Sequence, residues 1–318
     1  MVAPPKVTVG KAADVLVAGM EDGSIRNRRG EPYKPSAIRS YRRAIELRVK
    51  PELGHVRLGD LRRADVQDFI ESMLHQGQSV STIKNTLDPL RVIYRRAIQR
   101  EEVMVDPTSH LAIPADRGRR DRVATRNEAA RLLDALPQAE RALWATALYL
   151  GLRRGELRAL RWSDVDLDGN MIRVERALDD GERRHPGEFV STKSLSGERD
   201  VPILPILRHE LVAHKLATGR DGVQLVFGRT ATLPFIPSTV RRRALAAWEA
   251  ADLEPIALHE CRHTAATVMR AAGLDSKIIS AIIGHSSVVI TQDRYTHVDR
   301  SHLADAAAQL DSYLAQTG

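Results

Sequence analysis

His259-Glu260-Cys261-Arg262-His263, followed further on by Gly284-His285-Ser286-Ser287-Val288-Val289-Ile290-Thr291-Gln292-Asp293-Arg294-Tyr295, is the part of the chain that decides how the rest is read. Its residue types suit one chemistry. Arginine holds a phosphate, histidine holds or moves a proton beside it, and a tyrosine hydroxyl attacks it. His259 and Arg262 stand at i and i+3, so one helix face presents both. Helices are expected at about 258–272, 276–283 and 287–296.

Upstream, Gly151-Leu152-Arg153-Arg154-Gly155-Glu156-Leu157 follows helices expected at about 127–136 and 138–151. Residues 171–177 alternate as a strand does. Residues 187–204 should add one or two more strands, with Lys193 near a turn and Asp200-Val201-Pro202-Ile203 extended. Helices at about 206–217 and 238–251 complete this half. A last helix at about 301–315 carries Leu303, Ala306, Ala307, Leu310 and Leu314. Its apolar stripe suits either docking on a neighbouring protomer or capping its own domain.

The N-terminal half reads as helical, with helices at about 8–20, 36–49, 63–76 and 81–100. Pro51 is expected to stop the second, and Pro89 to kink the fourth or mark a boundary. Arg39, Arg42 and Arg43 share one side of the second helix. Lys84, Arg91 and Arg95 share a face of the fourth, which makes two basic faces suited to phosphates. Residues 107–126 resemble a linker, with Arg117, Arg119, Arg120, Arg122 and Arg126 placed to lie along a phosphate backbone.

The net charge is +7, and its location matters more than its size. Residues 127–318 hold 24 basic and 25 acidic side chains, so the whole positive excess lies before them. That points to a polyanion partner for the front half. No run of about 18 apolar residues exists to span a membrane. The N-terminus has no apolar signal core. The single cysteine, Cys261, excludes an internal disulfide framework and fits a reducing cytoplasm.

Gly-Leu-Arg-Arg-Gly-Glu-Leu at 151–157, Thr192-Lys193-Ser194 in a hairpin, His-x-x-Arg-His at 259–263, Gly284-His285, and Tyr295 ten residues after that histidine come in a telling order. Over roughly residues 8–300 the chain resembles the tyrosine recombinase (phage integrase) family. The resemblance implies a mainly α fold with a small antiparallel β-sheet. An α-helical core-binding domain would join an α+β catalytic domain in a C-shaped clamp on DNA. The expected division is a core-site-binding domain at 1–107, a basic linker at 108–124, a catalytic domain at 125–300 and the C-terminal helix at 301–318.

Roles follow from the same resemblance. Arg153 and Arg262 match the phosphate-clamping arginines, and Lys193 the hairpin general acid. His259 matches the general base, His285 a phosphate hydrogen-bond partner, and Tyr295 the nucleophile. The implied partners are duplex DNA attachment sites, a homotetramer in the synaptic complex, and accessory DNA-bending or directionality factors. No cofactor and no metal are implied. Larger phage integrases carry an arm-site-binding domain ahead of the core-binding one. Only a few residues precede the first helix here, so the chain reads as a core-site-only recombinase or as part of a longer one.

Competing readings are weaker. His259, Glu260 and His263 also fit the His-Glu-x-x-His zinc signature, but no glutamate follows Glu260 anywhere in the chain. Ala266 and Met269 stand where a metzincin needs glycine and histidine, which leaves only His285 as a third ligand. A DNA-binding regulator on a dead catalytic fold would not need every catalytic position filled. Glu156 reads as a buried partner orienting an arginine or histidine. His263 and Cys261 read as packed residues, and Arg154 as pointing away from the site that Arg153 faces.

Overall fold

The computed structural model describes residues 7–115, 122–178, 189–191, 198–284 and 300–315. It separates into two compact units, Met1–Arg119 and Arg120–Gly318.

In the first unit, Thr8 caps α1 (Val9–Glu21) by accepting the Lys11 N–H at 3.3 Å. Val9, Ala13, Leu16 and Met20 recur every three or four residues and are buried. Helix α2 (Pro35–Ala44) runs into a π-helical turn over Ile45–Val49 and then α3 (Lys50–Leu53). Pro51 therefore does not stop the helix as expected. It sits in the first turn of the segment after the π turn, where a missing N–H is tolerated. The unit is completed by α4 (Arg63–His75) and α5 (Val80–Gln99). Pro89 does not end α5 either. Pro89 is buried, as are Leu87, Leu90 and Ile93 of the same helix, and that burial offsets the one backbone bond it removes. The Tyr94 hydroxyl donates to the Leu58 carbonyl at 3.1 Å inside this core.

The expected linker is narrower than its basic composition suggested. Leu111 and Ile113 pack on the first unit's core, and Gln67 pairs with both backbone groups of Ala112 at 3.0 and 3.1 Å. On the other side, Ala124 is buried in the second unit, its N–H bound to Thr264 Oγ1 at 3.1 Å.

The second unit begins with α6 (Arg126–Asp134), α7 (Gln138–Leu150) and α8 (Arg154–Ala159). Apolar residues surround α7 on nearly every side, and from Ala142 to Leu150 it is buried throughout. Short strands follow: β1 (Val165–Asp166), β2 (Met171–Val174), β3 (Arg176–Leu178), β4 (Phe189–Ser191) and β5 (Arg199–Pro202). Among the described residues they form an antiparallel sheet in the order β1-β2-β5 and a separate β3-β4 pair. The register of β2 on β5 sets Ile172 opposite Val201 and Val174 opposite Arg199. Helices α9 (Pro205–Thr218), α10 (Pro237–Ala250), α11 (Leu258–Ala271), α12 (Ser276–Ile283) and α13 (Arg300–Ala315) close the core. Trp144 of α7 and Trp248 of α10 meet edge to face, 4.8 Å between ring centroids.

The stripe of α13 lies in the core of its own unit, where Leu303, Ala306 and Leu310 are buried. Arg126 reaches back to the Tyr313 carbonyl at 2.6 Å. Leu310→Ala should therefore cost about 2–5 kcal/mol of stability, read as a lower urea midpoint. An unchanged midpoint would mean that this packing contributes nothing. The helix expected at 287–296 falls outside the described residues. Among those described, no helix is long and apolar enough to cross a membrane.

Candidate active site

Gly151 ends α7 in the left-handed region, at φ 65°. A Cβ there would stand 3.0 Å from the Ile283 side chain and 3.1 Å from that of Ala265. Glycine thus lets the end of α7 close on α11 and α12. Two residues later, Arg153 is the extended N-cap residue of α8. Glu156, in the first turn of α8, accepts the Arg153 backbone N–H at 2.8 Å through Oε2. Its Oε1 accepts Arg153 Nη1, also at 2.8 Å. One buried carboxylate therefore fixes both the backbone and the head of Arg153. Nη2 of Arg153 donates to the Gly284 carbonyl.

Arg262 arrives at the same oxygen from α11. Its Nη1 donates to the Gly151 carbonyl at 2.8 Å, and its Nη2 to the Gly284 carbonyl at 3.2 Å. Gly284 itself caps α12 at φ 73°, with its N–H on the Ser280 carbonyl at 2.7 Å. Two guanidiniums thus converge on one carbonyl oxygen, immediately before His285. Burial, and then the neighbouring charge of Arg153, lowers the pKa of Arg262 from the ordinary arginine value. A guanidinium still keeps its proton at neutral pH.

Glu156 has a second partner that the sequence does not announce. Arg199 of β5 donates to both of its oxygens, Nη1 to Oε1 at 3.1 Å and Nη2 to Oε2 at 2.8 Å. Arg199 Nε donates to the Ile282 carbonyl at 2.7 Å. The two side chains are 7% and 1% exposed. Burial alone would raise the Glu156 carboxyl, but the hydrogen bonds and charge of Arg199, joined by Arg153, hold it below the usual glutamate value.

His259 is exposed in the first turn of α11, on the side of the helix that carries Arg262. Glu260 is buried, and its Oε2 accepts the Ala257 N–H at 2.7 Å. Its carboxylate thus works as a helix cap, away from the role a zinc protease would give it. Among the described residues, no three His, Cys, Asp or Glu side chains are arranged to hold a metal ion. Cys261 is fully buried, which pushes its thiol pKa up. His263 is exposed, unlike the packed residue expected. Arg154 is exposed as well, while Arg153 faces Arg262 across Gly284. A cleft of about 440 Å³, lined in part by Glu140, His214 and Arg243, lies at the other end of α7 and includes none of these residues.

Lys193, His285 and Tyr295 lie outside the described residues, as do Arg119 and Arg120. The remaining basic residues fall into two groups. In the first unit Arg43 and Lys84 are exposed, Arg39 is half-buried, and Arg42 pairs with Glu21. Arg91, 3.2 Å from Asp88, joins Arg95 and Arg28 around a cleft of about 290 Å³ that also includes Asp106 and Thr108. Arg28 belongs to a basic loop whose turn residues hid its place beside α5. Arg122, expected on DNA, instead has a side chain only 8% exposed, paired with Glu128 at 3.3 Å and Glu254 at 3.2 Å. Its charge is neutralised within the second unit.

Comparison with known proteins bears on both units. The phage integrase family matches residues 122–302, and the phage integrase N-terminal SAM-like domain matches residues 29–74. A tyrosine recombinase XerC-like protein of Caldanaerobacter subterraneus subsp. tengcongensis is 25% identical over 305 residues, covering 87% of this chain and 78% of its own. The putative prophage phiRv2 integrase of Mycobacterium tuberculosis is 30% identical over 204 residues, covering 63% of this chain. The match spans about half of that integrase, 53% of its length. Among solved structures, the Tn1549 transposon integrase in complex with transposon right end DNA has a TM-score of 0.75 at 19% identity, covering 96% of this chain and 99% of its own. A lambda integrase tetramer bound to a Holliday junction has a TM-score of 0.69 at 19% identity, covering 92% and 81%.

Proposed function

The chain belongs to the phage integrase family, tyrosine site-specific recombinases that act on DNA, and we propose that it cuts and rejoins duplex DNA through a 3′-phosphotyrosyl intermediate to integrate or excise a mobile element. The observation that carries this reading is the meeting of Arg153 and Arg262 on the Gly284 carbonyl. Two planar donor forks aimed at one oxygen suit the non-bridging oxygens of a phosphodiester, and they oppose the charge that builds there in the transition state.

The steps balance without an external energy source. The Tyr295 hydroxyl gives its proton to His259 and its oxygen attacks the phosphorus. The bond from phosphorus to the 5′-oxygen breaks, and Lys193 protonates that oxygen. His285 donates a hydrogen bond to the phosphate. A 3′-phosphotyrosine and a free 5′-hydroxyl result, one phosphodiester exchanged for another. The reverse step, with a 5′-hydroxyl from a second duplex, completes strand exchange. The functional unit on two DNA sites is a homotetramer, with accessory bending or directionality factors setting its direction. Its core-binding and catalytic parts correspond to residues 1–107 and 125–300.

The test is to select a duplex from a random-sequence library by binding to the chain, nick it beside the bound site, and map the covalently modified residue. A phosphotyrosine at Tyr295, formed equally in EDTA, is the expected result. Modification elsewhere, or none, overturns the reading.

The first unit supplies sequence-independent grip through Arg39, Arg42, Arg43, Lys84, Arg91 and Arg95. Replacing Arg91 and Arg95 with Gln should flatten the salt dependence of binding by about 0.9 in log–log slope for each phosphate that is no longer neutralised. Arg122→Gln should leave the slope unchanged, because Glu128 and Glu254 already hold that charge. A slope change at Arg122 alone would reverse this assignment of the DNA face. Arg119 and Arg120, beside it in sequence, are proposed to touch the backbone.

A further inference from the structure

We infer that Arg199 is a positioning residue for the cleavage step: it holds the Glu156 carboxylate in register, and so fixes the Arg153 guanidinium that grips the phosphate. The geometry is direct. Glu156 has two oxygens, and each is shared between Arg153 and Arg199. The carboxylate is almost fully buried, and a buried charge with one cation removed is costly. Without Arg199, Glu156 keeps the charges of Arg153 and Arg262 near it.

Arg199 also reaches past Glu156. Its Nε holds the Ile282 carbonyl, two residues before the Gly284 carbonyl on which Arg153 and Arg262 converge. One side chain therefore ties β5 to the first turn of α8 and to the last turn of α12. Arg199 stands six residues after Lys193 in sequence, and the end of α12 stands immediately before His285. Arg199 touches no reacting atom in this scheme. It sets the place of a group that does.

The sign of its pH effect follows. Arg199 is the leading contribution that lowers the Glu156 pKa, against burial that raises it. Removing it takes away the largest of the effects that oppose burial, so Glu156 takes up a proton at higher pH. A protonated Glu156 loses its hold on the Arg153 fork. Cleavage should then fall away on the acid side at a higher pH than in the parent chain.

This inference rests on the recombinase reading above, and one experiment separates the two. Adduct formation would be timed on the nicked duplex from pH 5.5 to 8.5 for the parent chain, Arg199→Met and Arg199→Lys. An inert parent chain would sink the recombinase reading itself. With an active parent, Arg199→Met should slow adduct formation by about 100-fold, the scale of a misplaced catalytic geometry. DNA affinity should stay within about twofold, and the acid limb should move up by about a pH unit or more, as loss of a charged partner implies. Arg199→Lys, which restores the charge but not the fork, should return the acid limb while leaving the rate intermediate. An Arg199→Met chain with the parent's rate, or one slowed equally at every pH, overturns the inference. Where the Met variant does not fold, Arg199→Lys decides: a slower rate at unchanged affinity supports it, and the parent's rate refutes it.

Discussion

Tyr295→Phe is expected to bind its selected duplex as tightly as the parent chain and to form no covalent protein–DNA product. The substitution removes one oxygen and leaves the ring. Binding rests on many phosphate contacts, so its loss should be within about twofold, since surface changes away from those contacts are nearly neutral. In the proposed mechanism, chemistry rests on that oxygen alone. A phenol ordinarily ionises near pH ~10, so it needs cations and a base beside it to attack at neutral pH. In the proposed mechanism Arg153, Arg262 and His259 offer this; the two arginines meet on the Gly284 carbonyl, and Tyr295 follows Gly284 by eleven residues. The measurement is a denaturing gel of the chain on a nicked duplex, with fluorescence anisotropy for affinity. A shifted, protease-sensitive band from the Phe variant would remove Tyr295 from the scheme.

How much of this could be read from residues alone differs by feature. Helices with apolar stripes, such as α1, α4 and α5, follow directly from spacing, because burial of one face dominates their stability. Pro51 and Pro89 depart from expectation for a shared reason. Local backbone rules stop or kink a helix at each, and tertiary packing with a π turn overrides those rules. The two-residue β1 and the six-residue α8 are too short to show a period, although α8 supplies the cap that positions Arg153.

The candidate site was legible where its residues lie in compact motifs. Arg153 and Arg262 are more than a hundred residues apart, yet each sits in a short signature and the fold brings both to Gly284. Glu156 was legible as a buried partner because it follows Arg153 at the spacing of a helix cap. Arg199 was not, because an arginine in a short strand usually faces solvent, and only the β2–β5 register brings it to Glu156. Arg122 misleads for the opposite reason. Its arginine-rich surroundings suggest DNA, while Glu128 and Glu254, one of them far away in sequence, neutralise it.

Arg262→Ala and Arg153→Ala should each slow covalent attachment by about 100- to 1000-fold, the usual effect of removing one donor aimed at a developing oxyanion. Affinity should fall far less, since each variant gives up one neutralised phosphate among many, about 0.9 in the salt slope. The two need not be equal. Arg153 is held by Glu156 at two points and is 41% exposed, so Ala there removes a clamp and leaves a buried carboxylate to Arg199. Arg262 also holds the Gly151 carbonyl, and its loss leaves the end of α7 without that donor. A Lys at position 262 keeps the charge but cannot reach both carbonyls with one planar fork, so it should recover only part of the rate. Single-turnover rates and equilibrium binding on the same duplex give the two numbers separately. Equal losses in rate and affinity would mean that these guanidiniums anchor the ground state alone, and the transition-state clamp would have to be sought elsewhere.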